Sequence, residues 1–159
     1  MIRAIRFLVP GLLACAAAAC ASPAPPPPPP APPPPPAITQ AIVNENVQAA
    51  SAALAAGDAS KAASFYANDA VFVSARGKAD TRAGIEAFWT EALKSGAGKG
   101  LKLDIVKWGT SGDMAYSLSR FTGGITASSG HVLAVSQRQA DGTMKTVAQV
   151  SIPDPPAKR

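Results

Sequence analysis

LAAGDASKAASFYANDAVFVSARG, residues 54–77, holds the end of one helix, a second short helix and the start of a sheet. Gly57 can take the left-handed backbone that stops a helix. Asp58 can then cap a second helix, on which Ala62, Phe65 and Tyr66 share a face. Asn68 and Asp69 break that helix, and AVFVS (residues 70–74) follows as a strand of β-branched and aromatic residues. ARGKAD (residues 75–80) reads as a polar turn.

Upstream, Val43, Val47, Ala50 and Leu54 recur at spacings of four, three and four, which predicts a helix from Ile38 to Ala56 with one apolar face. Downstream, Thr81 opens a third helix, TRAGIEAFWTEALKSG, whose stripe is Ile85, Phe88, Trp89 and Ala92 and whose close is Ser95-Gly96. The period then changes to two. LKLDIVKW, MAYSLSRF, HVLAVSQRQ and MKTVAQVSI are strand-like, and Asp141-Gly142 joins the last pair as a dipeptide that favours a type I′ hairpin. Helices followed by a strand meander predict an α+β domain: a curved antiparallel sheet wrapped around about three N-terminal helices, enclosing a cone-shaped hollow. Large residues (Phe72, Trp89, Tyr116) mixed with many alanines and serines predict that this hollow is open enough to bind a ligand.

The chain has 159 residues, enough for one domain once its ends are set aside. MIRAIR and the apolar run FLVPGLLACAAAA form an export signal too short for a stable membrane span. AAAC followed by CASPAPPPPPP resembles a bacterial lipobox. That resemblance makes Cys20 the expected lipid-carrying N-terminus, with Cys15 as the other candidate, and Ala21 favours the outer membrane on its periplasmic side. Residues 23–36 are nearly all proline, which predicts an extended spacer of roughly 40 Å at about 3.1 Å per residue. The expected boundaries are therefore 1–20 leader, 21–37 linker, 38–152 domain and 153–159 disordered tail.

Net charge is +5 at neutral pH, and two of the positive charges, Arg3 and Arg6, belong to the leader. No basic run interleaved with aromatics marks a nucleic-acid groove, so no nucleic-acid partner is expected. Both cysteines lie in the leader and His131 is the only histidine. The domain therefore lacks the side chains for a cysteine nucleophile or a zinc site, and no metal or cofactor is expected.

The order of elements, and the stretch 54–77 with GDMAYSLSRF and VSQRQADGTMKTV, resembles the nuclear transport factor 2-like superfamily in its SnoaL-like and ketosteroid isomerase-like branch. The resemblance covers nearly all of residues 38–152. It implies the cone fold and a homodimer paired sheet to sheet. Ketosteroid isomerases of this fold use a carboxylate base and an oxyanion hole made of a tyrosine and a protonated aspartic acid. Carried over by position, the base falls on Ser74, the tyrosine on Ala50 and the acid on Ser136. A serine alone cannot abstract a proton from carbon at neutral pH, so no catalytic residue transfers.

What remains is a set of lining candidates: Tyr66, Trp89 and Tyr116 as apolar faces with polar tips, and Ser74 and Ser136 as hydrogen-bonding groups. Arg76, Lys78 and Arg82 cluster around the turn after the first strand and could attract an anion such as a carboxylate. His131 differs in strand parity from Ser136 and should point to the opposite face. Asp69 and Asp113 sit where turns prefer aspartate. The sequence thus predicts an exported, lipid-anchored domain that binds a small, partly apolar molecule. Its rivals are an isomerase or hydrolase using His131 with a serine, and an envelope interaction module whose hollow is filled.

Overall fold

In a computed structural model of the chain, Pro30, residues 35–124 and residues 129–155 are described. The leader, Cys15, Cys20 and most of the proline tract lie outside the described residues. From Pro35 onward the elements run α1 (Gln40–Ala55), α2 (Ala59–Ala63), β1 (Tyr66–Ser74), β2 (Gly77–Ala79), α3 (Arg82–Lys94), β3 (Lys102–Ser111), β4 (Met114–Thr122), β5 (Ser129–Arg138) and β6 (Met144–Pro153).

Local chemistry sets the helix starts. Thr39, Asp58 and Thr81 each accept a hydrogen bond from a backbone N–H three residues on, satisfying one of the donors a helix N-terminus leaves free. α1 stops at Gly57, whose φ of 78° suits a residue without a Cβ.

α2 is shorter than its apolar spacing predicts. It ends at Ala63, and the Phe65 carbonyl accepts from the Thr146 N–H of β6 at 2.8 Å. Sheet pairing therefore takes over at Phe65, and Tyr66 is the first residue of β1 rather than a helical residue. The expected turn at 75–80 likewise contains the edge strand β2, paired antiparallel with β1.

The strands form one six-stranded, curved, unclosed sheet in the order β2-β1-β6-β5-β4-β3, with the helices packed against it. Every neighbouring pair is antiparallel except β1 and β6. That parallel pair departs from the expected all-antiparallel sheet. After β2 the chain crosses through α3 to the far edge and returns by three antiparallel steps, which brings β6 beside β1 in the same direction.

The turn between β5 and β6 is also longer than a two-residue hairpin. Gln139 N–H bonds to the Thr143 carbonyl, Gly142 N–H to the Gln139 carbonyl, and the Asp141 carboxylate accepts from Thr143 N–H. Asp141 acts as a side-chain turn former, with only Gly142 required in the left-handed region. β6 runs through Pro153, and Asp154 N–H bonds to the Ser129 carbonyl.

Three apolar clusters hold helices to sheet. Phe72 of β1 and Ile85 of α3 are fully buried with Tyr66, Ala67 and Ala70, and Phe88 and Trp89 pack on them, the Phe72 and Trp89 rings 5.6 Å apart. Burying each of these large side chains stabilises by about 2–3 kcal/mol. Ala53, Leu54 and Ala62 join α1 to α2 with Phe65 and Leu101 against them. Ile38, Val43 and Ala115 form the third cluster, with Trp108 and Met144 on its margin. Here the start of the folded chain is fastened: Ile38 is buried, and Arg138, ion-paired with Asp113 at 3.2 Å, donates to the Pro36 carbonyl at 2.6 Å.

Between the clusters, the inward positions of β4 and β5 carry small side chains: Ala115, Ser117, Ser119, Gly130 and Ala134 are all buried. Small residues under a curved sheet leave space that no neighbouring side chain fills.

Candidate functional site

That space is divided in two. A cavity of about 50 Å³ lies under α1, bordered by Asn46, Ala50, Tyr66, Ser117, Ser136 and Thr146. A larger one of about 420 Å³ opens at the end of the sheet where β1 and β6 finish, walled by Phe72, Phe88, Trp89, Leu101, Phe121 and Val132. Gln149, Leu103 and Val132 border both.

These three form the partition, and Gln149 is held in it by Tyr66 of the smaller cavity. The Tyr66 hydroxyl donates to Gln149 Oε1 at 2.9 Å. Burial pushes the phenol well above its ordinary pKa of 10, and the neighbouring Trp89 and Gln149 groups offset this only in part. Tyr66 is therefore a neutral hydrogen-bond donor. Trp89 lies beside the same hydroxyl, yet its buried Nε1 has no hydrogen bond of good geometry among the described residues.

The polar groups of the larger cavity gather on its mouth side. Ser74 and Ser151 are paired across β1 and β6, and both border the cavity with Arg76. Ser74 Oγ donates to the Gly77 carbonyl and accepts from Arg76 N–H, both at 3.2 Å, which ties the turn and fixes where Arg76 leaves the backbone. The Arg76 guanidinium touches only Ser95 Oγ, at 3.5 Å, and has no carboxylate partner among the described residues. Arg120 and Arg138, by contrast, are both ion-paired.

The five lining candidates thus divide. Trp89 and Ser74 border the larger cavity, while Tyr66 and Ser136 border the smaller, where Ser136 Oγ lies 3.5 Å from Thr146 Oγ1. Tyr116 sits beside the smaller cavity along β4, but its ring turns to the outer side of the sheet. The burial alternation of β4 places it there, and a Cβ on Gly109, its partner across β3, would stand 2.6 Å from the Tyr116 ring. Gly109 is kept bare because this ring lies over it.

Of the three positions carried over from the isomerases, Ala50 and Ser136 share the smaller cavity and Ser74 borders the larger. No aspartate, glutamate or histidine among the described residues lines either one. His131 faces outward, its Nδ1 3.6 Å from Asp154 Oδ1, and Ser129 Oγ donates to the other oxygen of the same carboxylate. Asp154 thus contacts both, and among the described residues no serine is hydrogen-bonded to the imidazole.

Lys78 pairs with outward-facing Val73, and Arg82 lies in the first turn of α3; only Arg76 of the expected basic cluster reaches the cavity. Gln149 and Ser151 were not among the candidates. Their signal was present in the period of two along β6, which puts residues 149, 151 and 153 on one face.

Helices laid on a curved mixed sheet, with the cavity at one end of the cone, define a nuclear transport factor 2-like fold. The SnoaL-like domain family matches residues 47–152, and the chain belongs to it. Among solved structures it is similar to a ketosteroid isomerase-like protein of Erwinia carotovora atroseptica (TM-score 0.62, 18% identity, 73% of this chain and 96% of that one). It is also similar to a cystatin-like-fold protein of unknown function from Nostoc punctiforme (TM-score 0.63, 15% identity, 74% and 92%). A nuclear transport factor 2-like protein of unknown function from Shewanella oneidensis aligns as well (TM-score 0.61, 13% identity, 70% and 97%). At these identities the likeness concerns the fold. No curated protein matches the sequence.

Proposed function

We propose that the domain binds a small, partly apolar molecule in the larger cavity and does so without acid-base chemistry of its own. One observation carries this: an opening of about 420 Å³ whose walls are mainly aromatic and aliphatic, with a few polar groups from Gln149, Ser151, Ser74 and Arg76. That volume lies within the range of about 300–1,000 Å³ usual for small-molecule sites, and the pattern of apolar walls with sparse polar groups is the one such sites share. The test is native mass spectrometry of the purified protein. A ligand adduct that disappears on denaturation supports binding; a cavity that stays unoccupied against a panel of apolar small molecules removes the proposal.

The same reading places the protein in a bacterial envelope, held on the periplasmic side of the outer membrane by a lipid on Cys20. The short cationic leader, the lipobox-like AAAC and the proline spacer support it.

A homodimer is the second part of the proposal. On the outer face of the sheet, Val71, Val73, Leu133, Val150 and Ile152 stand in adjacent cross-strand rows, and Ile152 is 63% exposed. Large aliphatic side chains grouped on one sheet face mark an association surface. Light scattering coupled to gel filtration should give twice the monomer mass; a monomer at high micromolar concentration refutes it.

A further inference from the structure

The larger cavity is electrostatically one-sided. Arg76 is the only charged residue on its border among the described residues, and it is a cation. Its backbone position is fixed by the Ser74 turn, and its guanidinium has no carboxylate to neutralise it. Ser151, the cross-strand neighbour of Ser74, borders the same opening, and its hydroxyl has no hydrogen-bond partner among the described residues. Beyond this rim the walls are Phe72, Phe88, Trp89, Leu101 and Phe121, and the first polar group is the Gln149 amide on the partition with the smaller cavity.

We propose that the cavity takes an amphipathic carboxylate, with its apolar body between Trp89 and Leu101 and its anionic head at the mouth against Arg76 and the Ser151 hydroxyl. The inference rests on the small-molecule proposal above and narrows it to a chemical class. A guanidinium offers paired donors to the two oxygens of a carboxylate, and a hydroxyl adds a third. A neutral or cationic ligand would leave Arg76 unused at the opening, and a cation would be repelled by it. The head stays near water because Arg76 is exposed, so the charge contact contributes selectivity more than affinity.

The test uses a matched pair of probes, 1-naphthylacetate and the neutral 2-(1-naphthyl)ethanol, titrated calorimetrically into the purified protein. The acid should bind about fivefold more tightly than the alcohol, the size expected of a charge contact at an exposed arginine. Arg76→Gln should erase that preference and leave the alcohol unchanged, while Arg76→Lys should keep part of it. Quenching of tryptophan fluorescence by both probes, lost in Trp89→Phe, places them in this cavity. Equal binding of the two probes, or an acid preference that survives Arg76→Gln, overturns the inference and leaves the broader binding proposal standing. Binding of neither probe removes both.

Discussion

Tyr66→Phe separates the structural work of the Tyr66 hydroxyl from any acid-base work. The side chain is 5% exposed, and its hydroxyl makes one bond among the described residues, to Gln149. Removing it loses a hydrogen bond with a net contribution of about 1 kcal/mol, so at about pH 8 the variant should unfold about 1 kcal/mol more easily in urea. Alkali should reverse the comparison. Burial raises the folded phenol above its ordinary value of 10, so the folded state keeps this proton after the unfolded chain has lost it. A raised folded pKa contributes stability that is complete below the unfolded value and is lost as pH climbs past it. The loss has a slope of about 1.4 kcal/mol per pH unit. By about pH 11 the wild type should have given up about 1.4 kcal/mol that phenylalanine cannot lose, and the variant should match or slightly exceed it. The measurement is paired urea unfolding at the two pH values; a stability gap that is the same at both refutes a buried, neutral Tyr66.

Other changes probe other parts of the molecule. Gly98→Ala should destabilise by more than about 2 kcal/mol in thermal unfolding, because its Cβ would overlap the Leu54 backbone carbonyl, whereas the space around Gly57 is open and Gly57→Ala should cost only about 1 kcal/mol of backbone strain. Leu133→Glu, on the outer sheet face, should leave circular dichroism unchanged and halve the mass seen by light scattering. Cys20→Ser should abolish incorporation of labelled palmitate in a bacterial host, while Cys15→Ser should retain it.

The strands of the meander were legible to within a few residues because a half-buried sheet writes its period of two directly into the chain, as HVLAVSQRQ does for β5. The starts of α2 and α3 were legible because Asp58 and Thr81 act through a bond three residues away, whereas α1, expected from Ile38, begins at Gln40 behind the cap Thr39. What stayed hidden depends on partners distant in sequence. Tyr66 sits where local spacing says helix, and only β6, some eighty residues later, turns it into a strand. Tyr116 borders the smaller cavity, but the lie of its ring follows from Gly109, whose missing side chain makes room for it on the outer face. The split into two cavities runs along Leu103, Val132 and Gln149, residues of three different strands brought together only by the tertiary fold. The opening itself was foreshadowed by the alanines and serines along β4 and β5.

The burial of Ile38 and the bond from Arg138 to the Pro36 carbonyl fix where residues 36–38 meet the sheet. Arg138 and Met144 lie where β5 turns into β6, whereas Ser74, Ser151 and Phe121 lie at the other extremity of the same strands. Within residues 35–155 the polypeptide therefore enters the domain at the end of the sheet remote from the mouth of the larger cavity.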